Sequence, residues 1–232
     1  QGQLRIGIKK PRFRNETGFL LCLGNVRIIV SSLNGGYDMS VLANKKVCVF
    51  CGSNAGADSK TQQSLKTLAE YLVKNDDTLV YGGGRLGLMG MLYEDVSKRN
   101  GKVIGIIPEI LEDHAIEPVG QTELIHVSDM SDRKKQMIEL SDCFVVFPGG
   151  LGTMEEFFQT YSWFQLGIVQ KPIILVNIDG YYNDLINFLK HSAETGFMPK
   201  ENVDALIIGD DLPDLFSKAS EFKYVKANKW RN

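Results

Sequence analysis

From Val47 onward the chain alternates short apolar runs with longer stretches whose apolar residues recur at helical spacing. Residues 47–50, 78–81, 103–107, 123–127, 143–147, 173–177 and 205–208 are rich in β-branched or aromatic side chains and read as strands. Between them, helices are predicted over 60–75, from the end of the second glycine-rich loop to about Arg99, and over 131–140, 154–166, 182–194 and 212–220. In the first of these, Leu65, Leu68, Ala69, Leu72 and Val73 share one face. Asn100-Gly101 stops the second. Residues 109–121 carry neither period and read as a looser stretch. Strands alternating with helices predict an α/β fold: a Rossmann-like, doubly wound parallel sheet in three layers, with helices on both faces. Ligands of such sheets bind at the carboxyl ends of the strands, beside the topological switch point.

Three predicted strands run into small or glycine-rich loops, so all three loops are expected on one rim. The first is Gly52-Ser53, the second runs from Gly82 to Gly90, and the third is Gly149-Gly150-Leu151-Gly152-Thr153. The third sits between a strand that must end by Pro148, which cannot donate to a ladder, and a helix. Glycines there let backbone N–H groups and the positive end of the helix dipole face an anion, most often phosphate. The second loop fits Gly-x-Gly-x-x-Gly over 82–87, but it follows the second strand and no acidic residue closes a following strand at the right distance. Dinucleotide binding is thus poorly supported. The chain has no Gly-x-x-x-x-Gly-Lys-[Ser/Thr] and no Gly-x-Ser-x-Gly. Two readings stay open for Thr153-x-x-Glu156. It is the spacing of a capping box, and it also places a carboxylate toward whatever the loop holds. Likewise Arg133 and Lys134, at the start of the 131–140 helix, form either a solvated basic face or the positive charge for a phosphate.

The first 40 residues differ from the rest. They show no helical period, are broken by Pro11, Gly18, Gly24, Gly35 and Gly36, and hold no Met before Met39. We expect 1–40 to be a leader or extension peripheral to function, and 41–232 a single Rossmann-like domain. The formal net charge is −2, divided as +4 over the first 40 residues and −6 over the remainder. No general affinity for nucleic acid follows. The apolar run 19–30 is too short to span a bilayer and contains Asn25 and Arg27, so no membrane partner is expected. Of the four cysteines, Cys48 and Cys51 are three apart on a strand and its end and point to opposite faces. Cys22, Cys48, Cys51 and Cys143 are therefore expected as buried reduced thiols, as suits a cytoplasmic protein. His114, His126 and His191 have no metal-ligand spacing, and no metal is expected.

The motifs in order are Cys51-Gly52-Ser53, Tyr81-Gly82-Gly83-Gly84 with Gly87-Leu88-Met89-Gly90, Met130 followed by Arg133-Lys134, and Pro148-Gly149-Gly150-Leu151-Gly152-Thr153-Met154-Glu155-Glu156. The last is a Pro-Gly-Gly-x-Gly-Thr-x-x-Glu motif. Over residues 45–225 the chain resembles the LONELY GUY family, the cytokinin riboside 5′-monophosphate phosphoribohydrolases, often labelled lysine decarboxylases. A pyridoxal enzyme needs a Schiff-base lysine and a pyridinium partner, and no such context is visible. The resemblance implies hydrolysis of the N-glycosidic bond of AMP or an N6-substituted AMP, giving free base and ribose 5-phosphate without a cofactor. It assigns catalysis to Arg133 and Glu156. Substrate and phosphate contacts fall on Gly52, Ser53, Gly83, Gly84, Met130, Arg133, Lys134, Gly149, Gly150, Gly152 and Thr153. It also implies a homodimer, as do the aromatics Phe157, Phe158, Tyr161, Trp163 and Phe164 around one helix. Two alternatives compete: a non-catalytic carrier like the molybdenum-cofactor carriers, and a general AMP or pyrimidine-nucleotide nucleosidase.

Overall fold

The structure is a computed structural model that describes residues 18–23, 26–33, 36–41 and 44–227. The chain divides into two compact units, 1–44 and 45–232. In the first, strands β1 (Gly18–Leu23), β2 (Val26–Leu33) and β3 (Gly36–Val41) form an antiparallel sheet in sequential order. The sequence of this segment shows no helical period, and the sheet is an element that its pattern was not assigned. Its source is visible in the apolar run 19–30, and Gly24-Asn25 and Asn34-Gly35 separate the strands in sequence, dipeptides of the hairpin-favouring kind. Arg5, Lys9, Lys10, Arg12 and Arg14 lie outside the described residues.

The second unit is a seven-stranded parallel sheet. Its strands are β4 (Lys46–Phe50), β5 (Thr78–Tyr81), β6 (Lys102–Pro108), β7 (Thr122–Val127), β8 (Cys143–Val146), β9 (Ile173–Val176) and β10 (Ile207–Gly209). Their spatial order is β10-β9-β8-β4-β5-β6-β7. The chain builds outward from β4 in one direction through β7, returns to β8 on the other side of β4, and continues to β10. The switch point therefore lies between β4 and β8, which pair in register from Val47 opposite Cys143 to Phe50 opposite Val146.

Helices α1 (Ser59–Lys74), α2 (Gly87–Lys98), α3 (Met130–Leu140), α4 (Leu151–Leu166), α5 (Asn183–Glu194), α6 (Lys200–Asp204) and α7 (Leu212–Ser220) cover the sheet. The alternation of β4 shows how. Val47 and Val49 pack with Leu65, Leu68 and Leu72 of α1 and with α2 and α7. Cys48 and Phe50 pack with Met137 of α3, Phe157 and Tyr161 of α4, and α5. Both faces of the strand are buried, which is why the run is apolar throughout rather than alternating. Cys48, Cys51 and Cys143 are free and buried. Burial pushes the Cys143 thiol up to about 12 and likewise raises Cys48 and Cys51. They are packing residues. Among the described residues no helix is long and apolar enough to cross a membrane, and no group of three or more His, Cys, Asp or Glu could hold a metal ion.

Three short elements of this unit escaped the sequence pattern: a 3-10 helix, η1 (Glu109–His114), after β6, a 3-10 turn over Ile178–Gly180 after β9, and α6 before β10. The third glycine loop is also shorter than expected. Helix α4 begins at Leu151 rather than Met154, with Gly150 as N-cap.

Candidate functional site: a cavity at the sheet switch point

That early start changes the roles of Thr153 and Glu156. The N-cap, Gly150, has no side-chain cap, and Thr153 and Glu156 lie inside the helix. The capping-box reading is therefore wrong. The two residues are instead on the inner side of α4, both buried.

Glu156 is only 8% exposed and Arg133, from the first turn of α3, only 6%. Arg133 Nη1 donates to Glu156 Oε1 at 2.9 Å. The guanidinium is held on its other sides by two backbone carbonyls: Nε donates to Ile106 O at 3.2 Å and Nη2 to Gly82 O at 3.3 Å. Ile106 and Gly82 belong to β6 and to the end of β5, so two strands fix the fork. Glycine at 82 leaves room for the fork, since a Cβ would lie 1.7 Å from Arg133 Nη2 where it now sits. Helix α3 is anchored by Asp129, whose carboxylate caps Ser131 N at 2.7 Å and Asp132 N at 2.9 Å. Burial raises the Glu156 carboxyl above the ordinary carboxylate value, while the Arg133 charge opposes that rise.

This pair sits in the wall of a cavity of about 890 Å³. The cavity lies where the switch-point rule puts it, at the carboxyl ends of β4 and β8. Gly52, Ser53, Met130, Arg133, Gly149, Gly150, Gly152, Thr153 and Glu156 all line it. Gly83, Gly84 and Lys134 do not. Gly83 has a positive φ and backs onto Ile106 and Ile107, and Gly84 makes a bridge to Ala115. Lys134 Nζ turns aside to the Glu155 carboxylate. The glycines of the second loop thus back the cavity, while Leu88 and Met89 at its end line it. Gly87 lies at φ +59, and a Cβ there would meet Ser53 C at 2.3 Å. Leu88 N donates to Gly52 O at 3.0 Å, and Gly52 N donates to Pro148 O at 3.2 Å, so all three loops form one hydrogen-bonded rim.

Leu88 and Met89, from the second motif, and Met130, from the third, line the cavity with apolar side chains together with Leu111, which comes from the aperiodic η1 and had no distinctive sequence pattern. After β9, the segment holding the 3-10 helix η2 (Ile178–Gly180) and Tyr181 folds beside the third loop. Tyr181 donates its hydroxyl to Gly149 O at 2.8 Å, and Tyr182 donates to Phe147 O at 2.6 Å. A position just past a strand's carboxyl end was the available signal for this segment.

Chemically, the cavity offers a helix N-terminus for an anion, an apolar wall for a flat or greasy group, and a buried carboxylate held by an arginine. Fold and site together define an α/β protein of the nucleotide-handling kind, with its ligand cavity at the switch point. A protein-family model described as "possible lysine decarboxylase" matches residues 89–219. The chain is 41% identical over 181 residues to the cytokinin riboside 5′-monophosphate phosphoribohydrolase LOG5 of Arabidopsis thaliana, covering 78% of this chain and 79% of that one. It is 38% identical to LOG3 of the same plant, covering 81% and 87%. The chain belongs to this family, the LONELY GUY phosphoribohydrolases. Among solved structures, the molybdenum-cofactor binding protein of Rippkaea orientalis aligns with a TM-score of 0.57 at 19% identity, over 77% of this chain and 96% of that one. At that identity the likeness establishes a shared fold and nothing about cargo. None of the cavity-lining residues is a lysine, so the decarboxylase description finds no Schiff-base residue there.

Proposed function

We propose that this protein hydrolyses the N-glycosidic bond of cytokinin riboside 5′-monophosphates, that is, of AMP carrying an N6 substituent. Water adds its hydroxyl to C1′, the C1′–N9 bond breaks, and the base leaves with the second proton as ribose 5-phosphate forms. The observation that carries this reading is the buried Glu156 carboxylate, fixed by Arg133 in a cavity rimmed by the Pro148–Thr153 glycine loop. Glycosidic cleavage develops positive charge on the sugar, and a carboxylate in a low-dielectric wall stabilises that charge strongly. The raised affinity of Glu156 for a proton also suits it to take one from the attacking water. Arg133 keeps the carboxylate ionised and aimed. The loop at the start of α4 takes the 5′-phosphate, and the Leu88, Met89, Leu111 and Met130 wall takes the base and its apolar substituent. Incubation with isopentenyl-AMP and with AMP is expected to release free base from both, faster from the isopentenyl compound. Release from neither would overturn the reading, and equal rates would favour a general AMP nucleosidase.

The working unit is a homodimer built on the outer side of α4. Phe157, Tyr161 and Phe164 face the core, whereas Leu151, Phe158 and Leu166 remain exposed, Phe158 by 40%. Apolar residues on both sides of one helix call for a second partner. Sedimentation at micromolar concentration should read two chains per particle; a monomer would refute this assembly.

A further inference from the structure

The cavity is short of positive charge for the ligand the proposed function gives it. Its charged lining side chains are Asp58, Arg133, Glu156 and Asp179. Arg133 is already committed to Glu156 at 2.9 Å. A phosphate dianion entering there meets carboxylates in excess, and a helix N-terminus supplies only partial charge. Asp58 is an N-cap: it accepts from Lys60 N at 3.0 Å, Thr61 N at 2.9 Å and Thr61 Oγ1 at 2.8 Å. Asp179 has no such structural duty. Among the described residues its one hydrogen-bonded side-chain contact is with Lys60, Nζ to Oδ1 at 2.7 Å, and the Lys60 and Asp179 side chains are 67% and 57% exposed respectively.

The placement of this pair is specific. Lys60 lies between the lining residues Asp58 and Thr61 at the start of α1. Asp179 is two residues before Tyr181, whose hydroxyl is bonded to Gly149 O in the third loop. The ion pair therefore joins two walls of the cavity beside the loop. Asp179 reaches that place in a left-handed backbone, φ +48, a conformation a non-glycine residue adopts at some cost. An exposed lysine–carboxylate pair is worth little in stability, so it exchanges partners readily. A phosphate with two negative charges and three acceptor oxygens is a stronger partner than one carboxylate.

We infer that Lys60 is a phosphate-binding residue of this site, held at the cavity mouth by Asp179 and passed to the 5′-phosphate when a ligand binds. This rests on the phosphate-bearing ligand of the proposed reaction. Lys60 and Lys134 both lie just outside the lining, but Lys134 pairs with Glu155, which is also outside it, whereas Lys60 pairs with the lining residue Asp179. Asp179 then acts as a placeholder whose removal frees the lysine.

Calorimetric titration of the full chain with ribose 5-phosphate and with adenine tests this without requiring turnover. Lys60→Met should bind ribose 5-phosphate about tenfold more weakly than wild type and adenine equally well. Its affinity for ribose 5-phosphate should also fall less steeply with added salt. Asp179→Asn should bind ribose 5-phosphate as tightly as wild type or tighter, and the double variant should match Lys60→Met. Unchanged affinity in Lys60→Met would overturn the inference. So would an equal loss in Asp179→Asn, which would make the pair a structural tie between two walls. A wild type that binds no ribose 5-phosphate would overturn it as well. Base-release assays separate the two claims: Lys60-dependent binding without hydrolysis refutes the reaction but keeps the lysine, and hydrolysis with Lys60-independent binding does the reverse.

Discussion

Glu156→Gln is expected to lose turnover by about 10²-fold or more while remaining folded, the scale of a missing acid–base or electrostatic group. Gln keeps an oxygen that can accept from Arg133 Nη1, so the geometry around the fork persists. What disappears is the negative charge. That charge has two tasks in the proposed reaction, stabilising the cationic sugar and accepting a proton from water. Stability moves by two opposing effects. Removing a desolvated carboxylate is favourable, whereas leaving the Arg133 guanidinium buried without a counter-ion is not. The melting temperature should fall, because the second effect strands a group that cannot shed its charge. The pH dependence provides an independent reading. The Glu156 carboxyl is raised by burial, so its ionised form is lost on acidification sooner than for an ordinary carboxylate. Wild-type kcat/KM should therefore decline on the acid side from above the usual carboxylate range near about 4.3. Glu156→Gln should lack that limb. A Gln variant that releases base at near wild-type rate would show that the carboxylate is not the catalytic group.

Gly82→Ala should be as damaging to turnover as the loss of Glu156, although residue 82 does not line the cavity. A methyl group there would occupy the position of Arg133 Nη2 and lie 2.8 Å from its Cζ. The clash is with the planar end of a side chain pinned by Ile106 O and Glu156, so the fork must leave. Displacing it breaks the buried pair and leaves Glu156 alone in a low-dielectric wall, a change on the order of 3–5 kcal/mol in stability. Glu156 would then take up a proton rather than stay charged. Thermal melts should show a lower transition than wild type, and base release should fall by about 10²-fold or more. Activity within a few-fold of wild type would show that Arg133 can be accommodated elsewhere and does not need this seat.

The sheet and the neighbourhood of the site were legible because both rest on strong local patterns. Strands buried on both faces leave unbroken apolar runs, and 78–81 and 212–220 coincide with their observed elements. Glycine clusters after three of those strands placed the loops on one rim. The parts that were not legible depend on tertiary contact. Nothing in the spacing of Arg133 and Glu156, 23 residues apart, states that they touch. Leu111 reaches the cavity from a 3-10 turn with no period to detect. Thr153-x-x-Glu156 imitated a capping box because glycines ahead of it read as loop, while the helix in fact begins among them. Lys134 looked like the phosphate cation from its place in the motif, yet a neighbouring glutamate holds it.

The two successive tyrosines after β9 have a further consequence. Pro148 ends the β8 ladder, and the carbonyls on either side of it, Phe147 O and Gly149 O, are taken by the phenols of Tyr182 and Tyr181. Oxygen atoms that would repel an anion are thereby engaged elsewhere. The N–H groups of the first turn of α4, which have no carbonyl partners within the helix, are the groups left to offer. The tyrosines thus sort the loop's donors from its acceptors. Because that sorting is completed as the chain folds, the binding surface is preorganised, and the entropy of arranging it is not spent again with each molecule that arrives.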